Sequence, residues 1–233
     1  MSTSKKAARP YVSFRKAQPC LPSLPKADAG SVLKQHILAL KKCTRCPNMI
    51  GPVVSHDPVV SKIYLVGQAP GPNEGKFGRP FAWTAGKTLF RWFESIGVGE
   101  DGFRRSCYMA AVCRCFPGKA SNGGDRVPSP SEIEACASWM CFEIELLKPD
   151  LVIAVGRLAI EQFFGKTPLA EVIGQIHRKS VFGHVCDIIP LPHPSGASTW
   201  YKREPGKTLL TQALALLRDH PAWVEIQKSG ATG

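Results

Sequence analysis

Two short runs, Lys62–Gly67 (KIYLVG) and Asp150–Gly156 (DLVIAVG), carry apolar side chains at consecutive positions. A strand sends alternate side chains to opposite faces, so such runs are stable only where both faces are covered, as in the centre of a mainly parallel sheet. A third run, CYMAAV (107–112), has the same character. Helical patterns separate them. Val32, Leu33, Ile37 and Leu40 recur at helical spacing in 31–43, with Ser31 as the expected N-cap. A helix is expected over 85–97, closed by Gly97. Ser129 and Glu132 have capping-box spacing around Pro130, and RLAIEQFFG follows the strand at 150–156. Residues 177–193 read as two strands around Phe182-Gly183, and 205–221 as a closing amphipathic helix. This alternation predicts an α/β chain, a three-layer α/β/α sandwich around a central, mainly parallel sheet. Sites in such folds lie beyond the carboxyl ends of the strands.

Residues 1–29, basic and proline-rich, read as a flexible arm, 30–221 as one domain and 222–233 as a C-terminal tail. The chain has 233 residues, 44% of them hydrophobic, enough for one substantial core. No apolar run is long enough to span a bilayer, and the N-terminus lacks the apolar centre of a secretory signal. A cytoplasmic, reducing location is therefore expected, with no membrane partner and a monomeric state. The net charge of +12 points to a polyanionic partner, nucleic acid above all.

Nine cysteines in a reducing compartment call for a reason other than disulfides. Cys43 and Cys46 form a C-x-x-C pair, Cys115 follows the third apolar run, and Cys136 lies one turn into the capped helix. Four thiolates from three segments suit zinc or a [4Fe–4S] cluster, and the spacing does not choose between them. Cys113 competes with Cys115, because alternation puts both on one strand face. Cys20, Cys107, Cys141 and Cys186 read as small buried hydrophobes.

The stretch 66–89, VGQAPGPNEGKFGRPFAWTAGKTL, passes from strand through a small-residue loop into a helix. Loops of this kind bring backbone amides close to a ligand, so Gly67, Ala69, Pro70 and Gly71 are expected to line a binding site. His193 of LPHPSG also follows a strand and is expected to meet them.

These motifs, with YMAAVCRC, PSPSEIEAC, LKPDLVIAVG and the C-x-x-C, resemble the iron–sulfur uracil-DNA glycosylases, the family-four and family-five branches of that superfamily, over about residues 31–217. The resemblance implies DNA as partner, extrusion of a damaged base and hydrolysis of its glycosidic bond. It implies a structural [4Fe–4S] cluster and puts Cys115, not Cys113, beside Cys43, Cys46 and Cys136 as ligand. Phe81 matches the aromatic that stacks on the base, and His193 the histidine that hydrogen-bonds its carbonyl. Ser195 is expected to hold a phosphate.

Three positions depart from the resemblance. Gln68 stands where family four carries Glu and the most active relatives Asp. Ala111 replaces an Asn that reads uracil, and Thr84 lies near the position of the family-five carboxylate. Gln68 can orient a water but cannot serve as a base. Glu74, the acid of the stretch, is either a substitute or a solvated loop charge. Trp200 and Tyr201 are expected to enter the duplex, with Lys202, Arg203 and Lys207 on phosphates. Arg126 and Lys119 are further DNA-contact candidates. Two functional readings follow: a glycosylase acting on uracil or another deaminated base, or a catalytically weak binder of damaged, abasic or single-stranded DNA on the same frame.

Overall fold

A computed structural model describes residues 28–230 apart from Asn122. The expected basic arm lies almost wholly outside the described residues, as does Cys20. Among the described residues no helix is long and apolar enough to cross a membrane.

Five strands form one sheet in the order β2-β1-β3-β5-β4. They are β1 (Ile63–Gly67), β2 (Tyr108–Ala111), β3 (Leu151–Val155), β4 (His177–Val181) and β5 (His184–Leu191). Strands β1, β2, β3 and β5 run parallel, and β4 pairs antiparallel with β5 through the turn at Phe182-Gly183. Every residue of β1, β2 and β3 is buried, as their unbroken apolar character requires.

Among the described residues the α-helices are α1 (Ala29–Lys41), α2 (Glu74–Phe77), α3 (Thr84–Glu94), α4 (Glu100–Ser106), α5 (Pro130–Leu147), α6 (Arg157–Phe164), α7 (Gly206–Asp219) and α8 (Pro221–Gly230). Strand alternation distributes them. Tyr64 and Tyr108 turn to one face and reach Glu143 of α5, on which α1 packs. Their neighbour Met109 turns to the other face and meets Arg104 of α4, which packs against α3 and α8. The result is the expected three-layer sandwich.

Two local expectations change. Asp28, not Ser31, caps α1, its carboxylate accepting the Ser31 amide at 3.0 Å. Residues 222–230, expected as a tail, belong to helix α8. Its Trp223 is fully buried against Phe93 and Phe103, and the indole nitrogen donates to the Ile96 carbonyl at 3.2 Å. Gln227 donates to the same carbonyl at 2.7 Å, so a large aromatic and two polar anchors dock the helix. The capping box at Ser129 and Glu132 forms as expected.

Glu143 is the polar centre beneath the sheet. Fully buried, it takes hydrogen bonds from Tyr64 (2.6 Å), Tyr108 (2.9 Å) and Arg114 (2.6 Å) and pairs with His36 (3.2 Å). Burial opposes its charge, but the Arg114 guanidinium and the His36 contact hold the carboxyl down at about 2. A buried carboxylate is tolerable when its lone pairs are this fully used. The network joins α1, β1, β2 and α5.

Candidate active site and cysteine lobe

The carboxyl ends of β1, β2 and β5 open on one side of the sheet, where a cavity of about 570 Å³ is walled by the loops that follow them. The cavity unites Gly67, Gln68, Ala69, Pro70, Gly71, Glu74, Phe81, Ala111, His193 and Ser195, residues far apart in the chain. After β2 the ladder continues for two more bonds, Val112 N–H to Gly67 O and Cys113 N–H to Gln68 O, which fix the start of the small-residue loop.

Phe81 is set with unusual constraint. Its φ of +54° is in the left-handed region, sparsely populated by residues with a Cβ. Arg104 holds it there, donating to the carbonyls of Pro80 and Phe81, both at 3.0 Å, while stacking on Phe90. The ring lies over Gly67, where a Cβ would stand 2.8 Å from the Phe81 ring tip. Strain held by surrounding structure is common where a side chain must meet a ligand in one pose.

His193 is set by Gly156 and Ser195. A Cβ on Gly156 would come within 2.9 Å of His193 Cδ2, and Gly156 has φ +87°, so only glycine lets the ring settle there. The Ser195 amide donates to Nδ1 at 3.2 Å, which leaves the proton of a neutral ring on Nε2. Burial lowers the His193 pKa below its ordinary value, and the charge of Asp125 opposes that shift. The ring is thus a neutral donor near pH 7.

Glu74 begins α2 and is buried, its Oε2 accepting the Gly71 amide at 3.1 Å. It is therefore no solvated loop charge. Asp125, which sequence pattern does not single out, lines the same cavity. It sits on a small hairpin in which Lys119 and Asp125 pair across and the Ala120 amide donates to Gly124 O at 2.8 Å. Alternation gives no hint of such a turn; the Gly-Gly-Asp run was the available signal.

Trp200 and Tyr201 do not line the cavity. Both are partly buried against the core, Tyr201 edge-on to Trp92 at 5.0 Å, whereas Lys202, Arg203 and Lys207 are exposed. The aromatics exposed beside the cavity are Trp83, 44% accessible and on its wall, and Phe77, stacked on Trp83 at 5.9 Å. Arg126, a further DNA-contact candidate, forms a clasp within the protein. It grips Glu132 with two nitrogens at 2.8 Å, and donates to Pro117 O at 2.7 Å and Asn48 O at 3.5 Å.

A second cavity, of about 370 Å³, is walled by Cys43, Cys46, Cys115 and Cys136 together with Arg114. Cys113 is not on its wall; it is buried behind Cys136 and hydrogen-bonded to it. That bond, with the Arg114 amide and guanidinium, holds Cys136 down at about 6, while burial and the neighbouring sulfurs push Cys46 and Cys115 up to about 11. Among the described residues no three His, Cys, Asp or Glu side chains close on a single-ion site. Arg114 Nη1 is a buried donor without a partner among the described residues. Four soft donors and an orphaned cationic donor around one cavity fit an anionic iron–sulfur cluster.

The cavity thus lies at the strand ends of a doubly covered α/β sheet, with an aromatic and a neutral imidazole on its walls. Residues 55–218 match the uracil DNA glycosylase superfamily, and the chain belongs to it. It is similar to the type-4 uracil-DNA glycosylase of Thermotoga maritima, 34% identical over 127 residues that make up 53% of this chain and 62% of that protein. The type-4 uracil-DNA glycosylase of Archaeoglobus fulgidus is 27% identical over 166 residues, 69% of this chain and 79% of that protein. The type-5 uracil-DNA glycosylase of Thermus thermophilus is 31% identical over 140 residues, 55% and 61% of the two chains. The matched region thus spans less than two thirds of the Thermotoga and Thermus relatives.

Proposed function

We propose that this chain is a DNA repair glycosylase that takes uracil, or another deaminated base, out of the stack and hydrolyses its N-glycosidic bond, leaving an abasic site. The observation that carries this reading is the pairing of Phe81 and His193 across one cavity. The ring of Phe81 offers a stacking face, and His193 Nε2–H a donor to the base carbonyl on which negative charge grows as the bond breaks. A neutral donor suits a base that leaves as an anion, since it need not give up its proton.

The cavity wall at Ala111 offers no side-chain amide to read a base edge, which supports a relaxed base preference. Ser195 holds a phosphate, and Gly67, Ala69, Pro70 and Gly71 line the wall beside the bound nucleotide. Lys202, Arg203 and Lys207 supply exposed charge to the backbone, and Trp83 with Phe77 a stacking surface for a flanking base. Cys43, Cys46, Cys115 and Cys136 hold a [4Fe–4S] cluster that serves as a staple for the lobe around them. The protein acts as a monomer on DNA.

Base release from single- and double-stranded oligonucleotides carrying uracil, hypoxanthine or xanthine tests the reading. Release by the wild type, lost in His193→Ala, supports it. Retention of lesion DNA without release of any base would instead establish a binder.

A further inference from the structure

Hydrolysis at C1′ of a deoxyribose needs a negative charge near the sugar or its attacking water. Gln68, Thr84 and Ala111 all wall the cavity, and none is charged. Among the described residues on that wall there are two acids, Glu74 and Asp125. Glu74 is buried, and its Oε2 takes the Gly71 amide and shapes the loop.

Asp125 differs in its exposure. Its side chain is 40% accessible, so water reaches it. Oδ1 pairs with Lys119 at 2.7 Å, which anchors the carboxylate from one side. Oδ2 is turned to the loop that begins at Gly67, 3.5 Å from where a Cβ would stand on Gly71. Its charge also acts on His193, across the cavity. The hairpin thus delivers a carboxylate to the same loop whose own residue, Gln68, lacks one.

We propose that Asp125 is the catalytic carboxylate of this site, an inference that rests on the glycosylase reading above. Cleavage of the C1′–N bond leaves its electron pair on the base, whose carbonyl accepts the His193 Nε2–H hydrogen bond. Asp125 stabilises the cationic sugar and orients a solvent water. The water oxygen bonds to C1′, its surplus proton passes to the Asp125 carboxylate, and the base anion takes up a proton from solvent. The products are the free base and the hydroxyl-bearing sugar.

The test is single-turnover release of uracil by wild type, Asp125→Asn and Glu74→Gln, each checked for its visible cluster absorption and for retention of DNA bearing a non-cleavable abasic-site analogue. The substitution Asp125→Asn preserves shape on an exposed turn. It is expected to slow release by about 100-fold or more with DNA retention within about threefold. Glu74→Gln is expected to lower stability and to slow release less. An Asp125→Asn enzyme within about threefold of the wild-type rate would overturn the assignment, as would a Glu74→Gln defect exceeding that of Asp125→Asn at equal stability. A wild type that releases no base removes the glycosylase reading itself; an active wild type with unaffected Asp125→Asn removes only this assignment.

Discussion

Arg104 fixes Phe81 by its backbone rather than its ring, donating to its carbonyl and to that of Pro80 at 3.0 Å each. The guanidinium therefore holds a strained φ of +54° in place. Arg104→Ala leaves two carbonyls without their donors and lets the turn relax. It is expected to cost about 1–3 kcal/mol of stability, read by urea denaturation. Single-turnover base release is expected to fall about tenfold or more as the stacking face moves. Unchanged kinetics with lowered stability would show that the turn keeps its shape without the clamp.

Gly156 and His193 make a second such pair. Gly156→Ala places a methyl 2.9 Å from His193 Cδ2 at a left-handed φ, so the imidazole must move. Base release is expected to drop by about 10- to 100-fold, while binding of abasic-site DNA changes little. Equal losses in both would mean that the substitution disturbs the strand end as a whole.

Cluster content separates the two neighbouring cysteines. Cys115→Ser removes a donor from the cavity wall and is expected to abolish the visible absorption and most of the iron. Cys113→Ser, which alters a buried partner of Cys136, is expected to keep both. Equal iron in the two variants would overturn this ligand set.

Burial holds His56 and His193 below the ordinary histidine value of 6.5. As pH falls through that value the unfolded chain binds protons before the folded one, so the unfolded state gains. Stability is therefore full above about pH 7 and declines below 6.5. Glu132 and Glu143, both near 2 against a usual 4.5, lose their contribution only at lower pH. Urea midpoints at pH 7.5 and 5.5 are expected to show the decline, and His56→Asn to reduce it. A flat profile would contradict the burial of both rings.

Much of this molecule was legible in its sequence because the signals were local. Unbroken apolar runs announced β1, β2 and β3, and the Ser129–Glu132 spacing announced the start of α5. The cavity residues were legible through motifs, and strand-end geometry supplies the reason they meet. Other features depend on tertiary docking. An aromatic beside basic residues reads alike whether its ring is free or packed, so Trp200 and Tyr201 gave no sign of their burial while Trp83 stayed exposed. A single Trp223 at the end of a chain says nothing about the gap it fills. Asp125 had only a Gly-Gly turn signal to mark it, and that signal says nothing of the cavity to which the hairpin carries it.

The clasp made by Arg126 has a consequence for how the molecule opens. The same guanidinium fastens the Asn48 turn, the Pro117 stretch and the first turn of α5, and its own residue directly follows Asp125. Segments tied by one side chain tend to exchange their amide hydrogens in one event rather than piecemeal. Hydrogen exchange is expected to show the amides of the cysteine lobe and of the Asp125 hairpin opening together, and Arg126→Ala to separate them.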